Sequence, residues 1–329
     1  MEVDIKDEAS VIAPAAAGFW RRTAAFLVDA LLLGIVGMLA GWALFDVFAR
    51  MGGYGRLLGF IVALAYFGMM NSARFSGQTL GKRLLRVRVV GQDGSLLSLP
   101  KSLLRYCVLG IPFFLNRAPI DVAALPTPFA YGLSLVVLGG IFSILYLYLF
   151  NRRGRRSLHD LAAGSCVVTA SMPVGLVKPA PVWRVHLVVV GVLLAASAAL
   201  PALTGPLAQN ASFAGLLSAH KAILAQPGVQ NAQVVHNMAF GSDGTASVKS
   251  VVAQVSLIDR RTKDAALAEH IARILLANDK TASSMSAIHV TLVHGYDIGI
   301  ASSWNAERYR FTPEALAADG AATASGSAK

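Results

Sequence analysis

Asp29 is a carboxylate about two turns inside an apolar run, and the chemistry of this sequence starts there. An ionised side chain at that depth costs about 2.5–3.5 kcal/mol on insertion scales. It must therefore face protein or water and have a partner. Arg22 lies on the same helix face, but seven residues of helix separate the two by about 10 Å, so a direct pair is marginal. Lys82, Arg83 and the adjacent His159–Asp160 are the candidates from other segments. The set Arg22, Asp29, Lys82, Arg83, His159 and Asp160 reads in two ways. It is either a proton- or cation-coupling group or a charge network that locks the first helix to the cytoplasmic loops. Asp46, near the far end of the same run, reads as an interfacial residue facing outside water.

Other motifs carry less chemistry. Gly77-Gln78-Thr79-Leu80-Gly81-Lys82 is not a phosphate loop, which needs four residues between its glycines and a Ser or Thr after the lysine; a tight turn with unusual angles at Gly77 and Gly81 is expected instead. Arg152, Arg153, Arg155 and Arg156 form a dense cluster suited to anionic lipid head groups. Aromatic interleaving on a soluble face, which a nucleic-acid patch needs, is missing. Five histidines, His220, His236, His270, His289 and His294, fall beyond residue 204 without metal-site spacing. No catalytic constellation stands out. The expectation is a non-enzyme without cofactor or metal.

These residues must be positioned by membrane helices. Of 329 residues 55% are hydrophobic and 14% charged, against about 25% charged in ordinary soluble domains. The net charge of +11 is unevenly spread: residues 1–204 hold 19 Lys+Arg against 9 Asp+Glu, and residues 205–329 hold 10 against 9. A basic excess confined to the apolar part fits positive-inside loops rather than a nucleic-acid face. Apolar spans are expected at Ala24–Phe48, Leu57–Ala73, Ala130–Phe150 and Val185–Leu203. Arg74–Arg105 and Arg152–Arg156 are both strongly basic, so both should be cytoplasmic. An even number of crossings must then separate them, and Ser102–Pro119 should cross too, with Arg105 and Arg117 snorkelling to opposite faces. A re-entrant hairpin broken at Pro112 is the alternative. The count is five spans, with the N-terminus inside and the C-terminus outside.

Three blocks carry a family resemblance: Phe19-Trp20-Arg21-Arg22-Thr23-Ala24-Ala25-Phe26-Leu27-Val28-Asp29, then Gly77–Val90, then Arg156-Ser157-Leu158-His159-Asp160-Leu161-Ala162-Ala163-Gly164. In this order they resemble the RDD family of bacterial membrane proteins over about residues 18–170. The resemblance implies that Arg22, Asp29 and Asp160 are the family's naming residues and, since some members are associated with sodium/proton antiport, that sodium or protons are partners. The stretch after Asp121, with Pro126 and Pro128, is long for the family.

The resulting architecture is an α-helical polytopic membrane protein of five spans with a small C-terminal α+β domain outside the membrane. Residues 1–17 are expected to be a disordered cytoplasmic tail. Residues 18–172 are an RDD-like four-span domain with a small cytoplasmic sheet built from Leu85–Val90, Leu96–Leu99 and Ser165–Thr169. Residues 173–204 are a linker and the fifth helix, 205–316 the extracytoplasmic domain and 317–329 a disordered tail. Within the domain, Thr204–Asn210 reads as a Gly/Pro linker and Gly241–Gly244 as a turn. Ala211–Gln226 and Lys263–Asn278 read as helices, and Val229–Asn237, Ser247–Ile258 and Ile288–Val293 as strands, with a fourth at Gly295–Ser302. A ferredoxin-like sandwich is one arrangement of that order. The functional reading is a bacterial inner-membrane protein, either an ion-coupled transporter or an anchor whose outer domain recruits a partner membrane complex. The bilayer's anionic head groups and a homo-oligomer are the remaining expected partners, and nucleic acid is excluded.

Overall fold

A computed structural model describes residues 16–118, 120, 125–173, 180–208, 211–240 and 247–318. The expected N-terminal tail up to residue 15, the turn at Gly241–Gly244 and nearly all of the C-terminal tail lie outside the described residues. The chain divides into two compact units. One comprises Met1–Ala40, Gly53–Pro201 and Ile298–Ala301, and the other Gly41–Gly52, Ala202–Asp297 and Ser302–Lys329.

Helix α1, Phe19–Ala43, carries the first apolar run and stops before Phe48; Phe45–Met51 forms a separate short helix, α2. Helix α3 is Gly55–Met70. The segment Thr127–Phe150 runs as α6 (Thr127–Ser134), a π-helical turn at Leu135–Gly139 and α7 (Gly140–Phe150). Helix α9 is Arg184–Ala208. Among the described residues, four stretches are long and apolar enough to cross a membrane: Phe19–Ala43, Phe45–Met70, Thr127–Phe150 and Arg184–Leu203. Leu27, Leu31, Val36, Met38 and Leu39 of α1 stay more than half exposed, a surface that hydrocarbon accepts and water penalises.

Helix α5, Leu99–Leu115, starts at the Ser98-Leu99-Pro100 turn and continues through Pro112, so the alternative of a hairpin broken there does not form. It lies antiparallel on α3. Arg56, at the start of α3, donates to the carbonyls of Phe114 (3.1 Å) and Phe113 (2.8 Å), and Tyr106 stacks on Phe67 at 5.0 Å. Leu33, Ala63, Phe67, Tyr106 and Phe114 form the core of this bundle, with Ile300 packed against it.

Beside the bundle, α4 (Leu80–Leu84), β1 (Val87–Gly91), α8 (Leu158–Ala162) and β2 (Ser165–Thr169) make a small platform. β1 and β2 pair antiparallel, Val87 opposite Thr169 and Gly91 opposite Ser165. The expected third strand at Leu96–Leu99 is absent because Pro100 already commits the chain to α5. Ala16 bridges Val168 on the other edge instead, and buried Ala17 donates its N–H to the Val167 carbonyl at 2.9 Å. The last two residues of the expected disordered tail are therefore ordered.

In the other unit, α10 (Ala211–Leu224) and α11 (Ala265–Asn278) pack with a four-stranded sheet of β3 (Val229–Phe240), β4 (Ser247–Leu257), β5 (Ala287–Asp297) and β6 (Ser302–Phe311). Residues 204–208, read as linker, are helical. The strand order is β3-β4-β5-β6, with β4 and β5 parallel across α11 and the outer pairs antiparallel. Sequential order excludes the interleaved ferredoxin-like sheet. The fourth strand begins at Ser302 rather than Gly295, because β5 runs on to Asp297 and Gly299, at φ +78°, turns the chain. Ile223, Val255, Ile271, Leu275, Ile288 and Leu292 fill the core of this unit. Helix α2 belongs here: Phe45 and Phe48 meet Tyr296 edge-on, and Arg260 pairs with the half-exposed Asp46 at 3.0 Å.

Candidate functional site

Two buried carboxylates organise the membrane unit, and they are held in opposite ways. Asp160, fully buried on α8, is held by cations. Arg105 places Nε and Nη2 on Oδ1 at 3.0 and 2.7 Å, and Arg22 places Nη2 on Oδ2 at 3.0 Å. The position is set locally by a capping box: Asp160 Oδ2 also accepts the Ser157 N–H at 3.2 Å. Burial alone would raise this carboxyl's pKa, but Arg105 foremost, with Arg22, holds it below the ordinary carboxylate range. Arg105 is thus a buried partner, not a snorkelling residue, as sequence reasoning had it. An arginine buried in an apolar helix is the signal that such a partner exists; the sequence does not say which.

Asp29, also fully buried, is held by neutral donors. Tyr66 Oη–H reaches Oδ1 at 2.7 Å, the Gly81 N–H reaches Oδ1 at 2.8 Å, and Thr79 Oγ1–H reaches Oδ2 at 2.5 Å. Thr79 is also the N-cap of α4, accepting the Lys82 N–H at 3.3 Å. Gly81 is helical, not left-handed as expected. Its requirement is closeness, since a Cβ there would come within 2.1 Å of the Ala25 carbonyl. Gly77 does take the expected positive angle, φ +68°. None of the expected ionic partners of Asp29 bonds to it. Lys82 Nζ donates to Asn71 Oδ1, Arg83 is exposed, and His159 lies against Asp160, Nε2 to Oδ2 3.6 Å.

A cavity of about 250 Å³ nevertheless brings Arg22, Asp29, Asn71, Lys82, Arg105 and His159 to one space between α1, α3, α5 and α7. Burial of its ammonium end, then repulsion from Arg105, pushes the Lys82 pKa well below its usual value. Burial likewise carries His159 down to about 3, so its ring is neutral, and its buried Nδ1 has no partner among the described residues. Asn71 and Tyr66 carry no sequence signal for this role. Thr79 carries only that of an N-cap.

The four clustered arginines separate. Arg152 and Arg153 are exposed; Arg155 reaches the Ala17 carbonyl at 3.1 Å and its own carbonyl accepts from Arg22; Arg156 is buried and does not face a head-group layer as expected.

The histidines of the other unit do not converge, and among the described residues no three His, Cys, Asp or Glu form a metal-binding group. His294 Nδ1 bonds the Leu257 carbonyl at 3.0 Å and His270 bonds Gln226 at 3.0 Å. His236 Nε2 meets Asp279 Oδ2 at 2.6 Å, and Thr281 donates its N–H and Oγ1–H to Asp279 Oδ1 at 3.0 and 2.8 Å. Burial would raise the Asp279 pKa; these bonds, His236 first, lower it below the ordinary range. A depressed folded-state value means that its stabilisation is present above about pH 4 and lost as pH falls through that value. Asp279→Ala should therefore destabilise this unit by about 2 kcal/mol at neutral pH and by less in acid. Hydrogen-exchange mass spectrometry of peptides from β3 and α11 in the full chain measures this. Equal loss at both pH values would reject the assignment.

A model of the RDD family matches residues 16–164. An uncharacterised protein of Bacillus subtilis, YckC, is similar at 26% identity over 155 residues, covering 47% of this chain and 85% of the relative. No solved structure matches. The matched segment contains Arg22, Asp29, Lys82, Arg105, His159 and Asp160; over residues 16–164 the chain is similar to the RDD family, and with its long apolar helices this indicates a membrane protein.

Proposed function

We propose that the protein crosses the membrane five times and couples proton movement to a cation at the cavity of Asp29, Asn71 and Lys82. Helix α5 makes the fifth crossing, antiparallel along α3. The β1–β2 platform lies in the cytoplasm, where the Lys and Arg residues concentrate. The C-terminal unit follows an odd number of crossings and lies on the periplasmic or extracellular face.

The carrying observation is that Lys82, a buried amine with a lowered pKa, shares one cavity with a carboxylate and an amide oxygen. Lys82 takes a proton from the cytoplasmic side and is stabilised by Asn71 Oδ1 and the field of Asp29. A monovalent cation entering the cavity finds the same oxygens and expels that proton by repulsion, one charge for one. Arg22, Arg105 and Asp160 fix the cavity wall.

Lys82→Gln in proteoliposomes should lower sodium-driven proton release at least about tenfold, the size typical of losing a positioned proton carrier. Arg83→Gln, on the exposed side of the same helix, should leave it unchanged. A fluorescent pH dye inside the vesicles gives the readout, and wild-type flux in Lys82→Gln would remove Lys82 from the mechanism.

A further inference from the structure

A second cavity, of about 380 Å³, lies next to the first and has a different character. Phe19, Arg22, Tyr148, Asn151, Arg152 and Arg155 line it together with Leu149, and among the described residues no acidic one does. Arg22 and Tyr148 form its inner wall, the guanidinium lying 5.4 Å from the ring centroid, and both also line the first cavity. Arg155 is held in place by its bond to the Ala17 carbonyl and by an unusual left-handed backbone, φ +46°, which turns its own carbonyl to Arg22. The Arg152 guanidinium makes no bond to protein among the described residues and is exposed.

The charge here is not balanced internally. Arg22 and Arg105 share their cavity with two buried carboxylates, Asp160 and Asp29, whereas Arg152 and Arg155 pair with no carboxylate among the described residues. The site asks for an anion. The other wall specifies what kind. Phe19 and Tyr148 pack at 5.1 Å, Leu149 is 50% exposed, and Trp20 and Phe150 extend the apolar surface at 78% and 56% exposure. An inorganic anion would leave that wall unused, whereas an amphiphile uses both walls. Basic pockets between membrane helices on the cytoplasmic side suit phospholipid head groups.

We propose that this pocket binds one glycerophospholipid with an anionic head group, its phosphate on Arg152 and Arg155 and its acyl chains along Phe19 and Leu149. The site is distinct from the Lys82 cavity and does not depend on any transport activity. Because Arg22 and Tyr148 separate the two, the lipid would brace the wall of that cavity from outside.

The test uses the full chain, delipidated in a neutral detergent, with phosphatidylglycerol, phosphatidylcholine or inorganic phosphate as probe. Native mass spectrometry should retain one phosphatidylglycerol per chain in preference to phosphatidylcholine, and only phosphatidylglycerol should raise the melting temperature. Arg152→Gln should weaken retention about tenfold, corresponding to 1.4 kcal/mol. Arg153→Gln, which removes an adjacent exposed arginine outside the pocket, should leave it intact. Equal loss in the two variants would mean diffuse attraction to a basic surface and overturn the proposal. So would an equal shift with inorganic phosphate, or no retained lipid.

Discussion

Asp160→Asn is expected to destabilise the membrane unit by about 3–5 kcal/mol, the cost of breaking a buried ion pair from one side. The side chain is fully buried and receives two guanidiniums, Arg105 at 2.7 Å and Arg22 at 3.0 Å. An amide there could still serve the capping box but would leave two largely buried cations without a counter-charge. The loss should appear as a large drop in the melting temperature of detergent-solubilised protein, or as failure to accumulate. Replacing all three partners by apolar residues of similar volume, Arg22→Met, Arg105→Met and Asp160→Leu together, should recover much of that stability, because the desolvation of all three charges is then removed. The cluster also predicts acid sensitivity. The folded-state pKa of Asp160 is depressed, so its stabilisation is present above about pH 4 and lost as pH falls through the folded value. If Asp160→Asn melts within a degree or two of wild type, the three-residue cluster is not what holds α1, α5 and α8 together.

How much of this was legible in the sequence depends on the range of the interaction. The apolar runs are local, and α1, α3, α7 and α9 appear close to where hydropathy puts them. The β1 and β2 strands are local too. Their partnership with Ala16 is not, because residues 152 positions apart meet at that bridge. Arg105 and Asp160 are 55 residues apart and Arg22 and Asp160 are 138 apart. With no local signal joining them, snorkelling was the reasonable way to accommodate Arg105. The reading of Asp29 failed for a different reason. A buried carboxylate was matched only with cations, yet a carboxylate can be satisfied by several neutral donors, here a phenol, a hydroxyl and a backbone N–H. The C-terminal unit was legible in its element order but not in its sheet order. Strand adjacency is a property of packing around α11 rather than of any one strand's pattern.

The neutral donors around Asp29 make its substitutions sharply different from one another. Asp29→Ala orphans three donors at a fully buried position, each worth about 1–3 kcal/mol, and should destabilise the unit severely. Asp29→Asn need not. With Oδ1 kept toward Tyr66 and the Gly81 N–H, which cannot reverse, the new amide nitrogen faces Thr79 Oγ1, whose hydroxyl can turn to accept. All three bonds survive and only their charge assistance is lost, a cost of about 1 kcal/mol. Gly81→Ala attacks the same joint sterically. Its Cβ would come within 2.1 Å of the Ala25 carbonyl and 3.0 Å of the Asp29 carboxylate, so α4 must move off α1, and a loss of about 3 kcal/mol is expected. Both losses arise from separating the same two elements, so the double variant Asp29→Ala, Gly81→Ala should lose clearly less than the sum. Melting curves of the four proteins measure the coupling. Additive losses would mean that Asp29 and Gly81 act independently. If Asp29→Asn proved as damaging as Asp29→Ala, the negative charge itself, rather than the hydrogen-bonded joint, would be what the fold needs. If Asp29→Asn folds normally but loses proton release in vesicles, the joint and the cavity's field are separable, as the coupling mechanism at Lys82 requires.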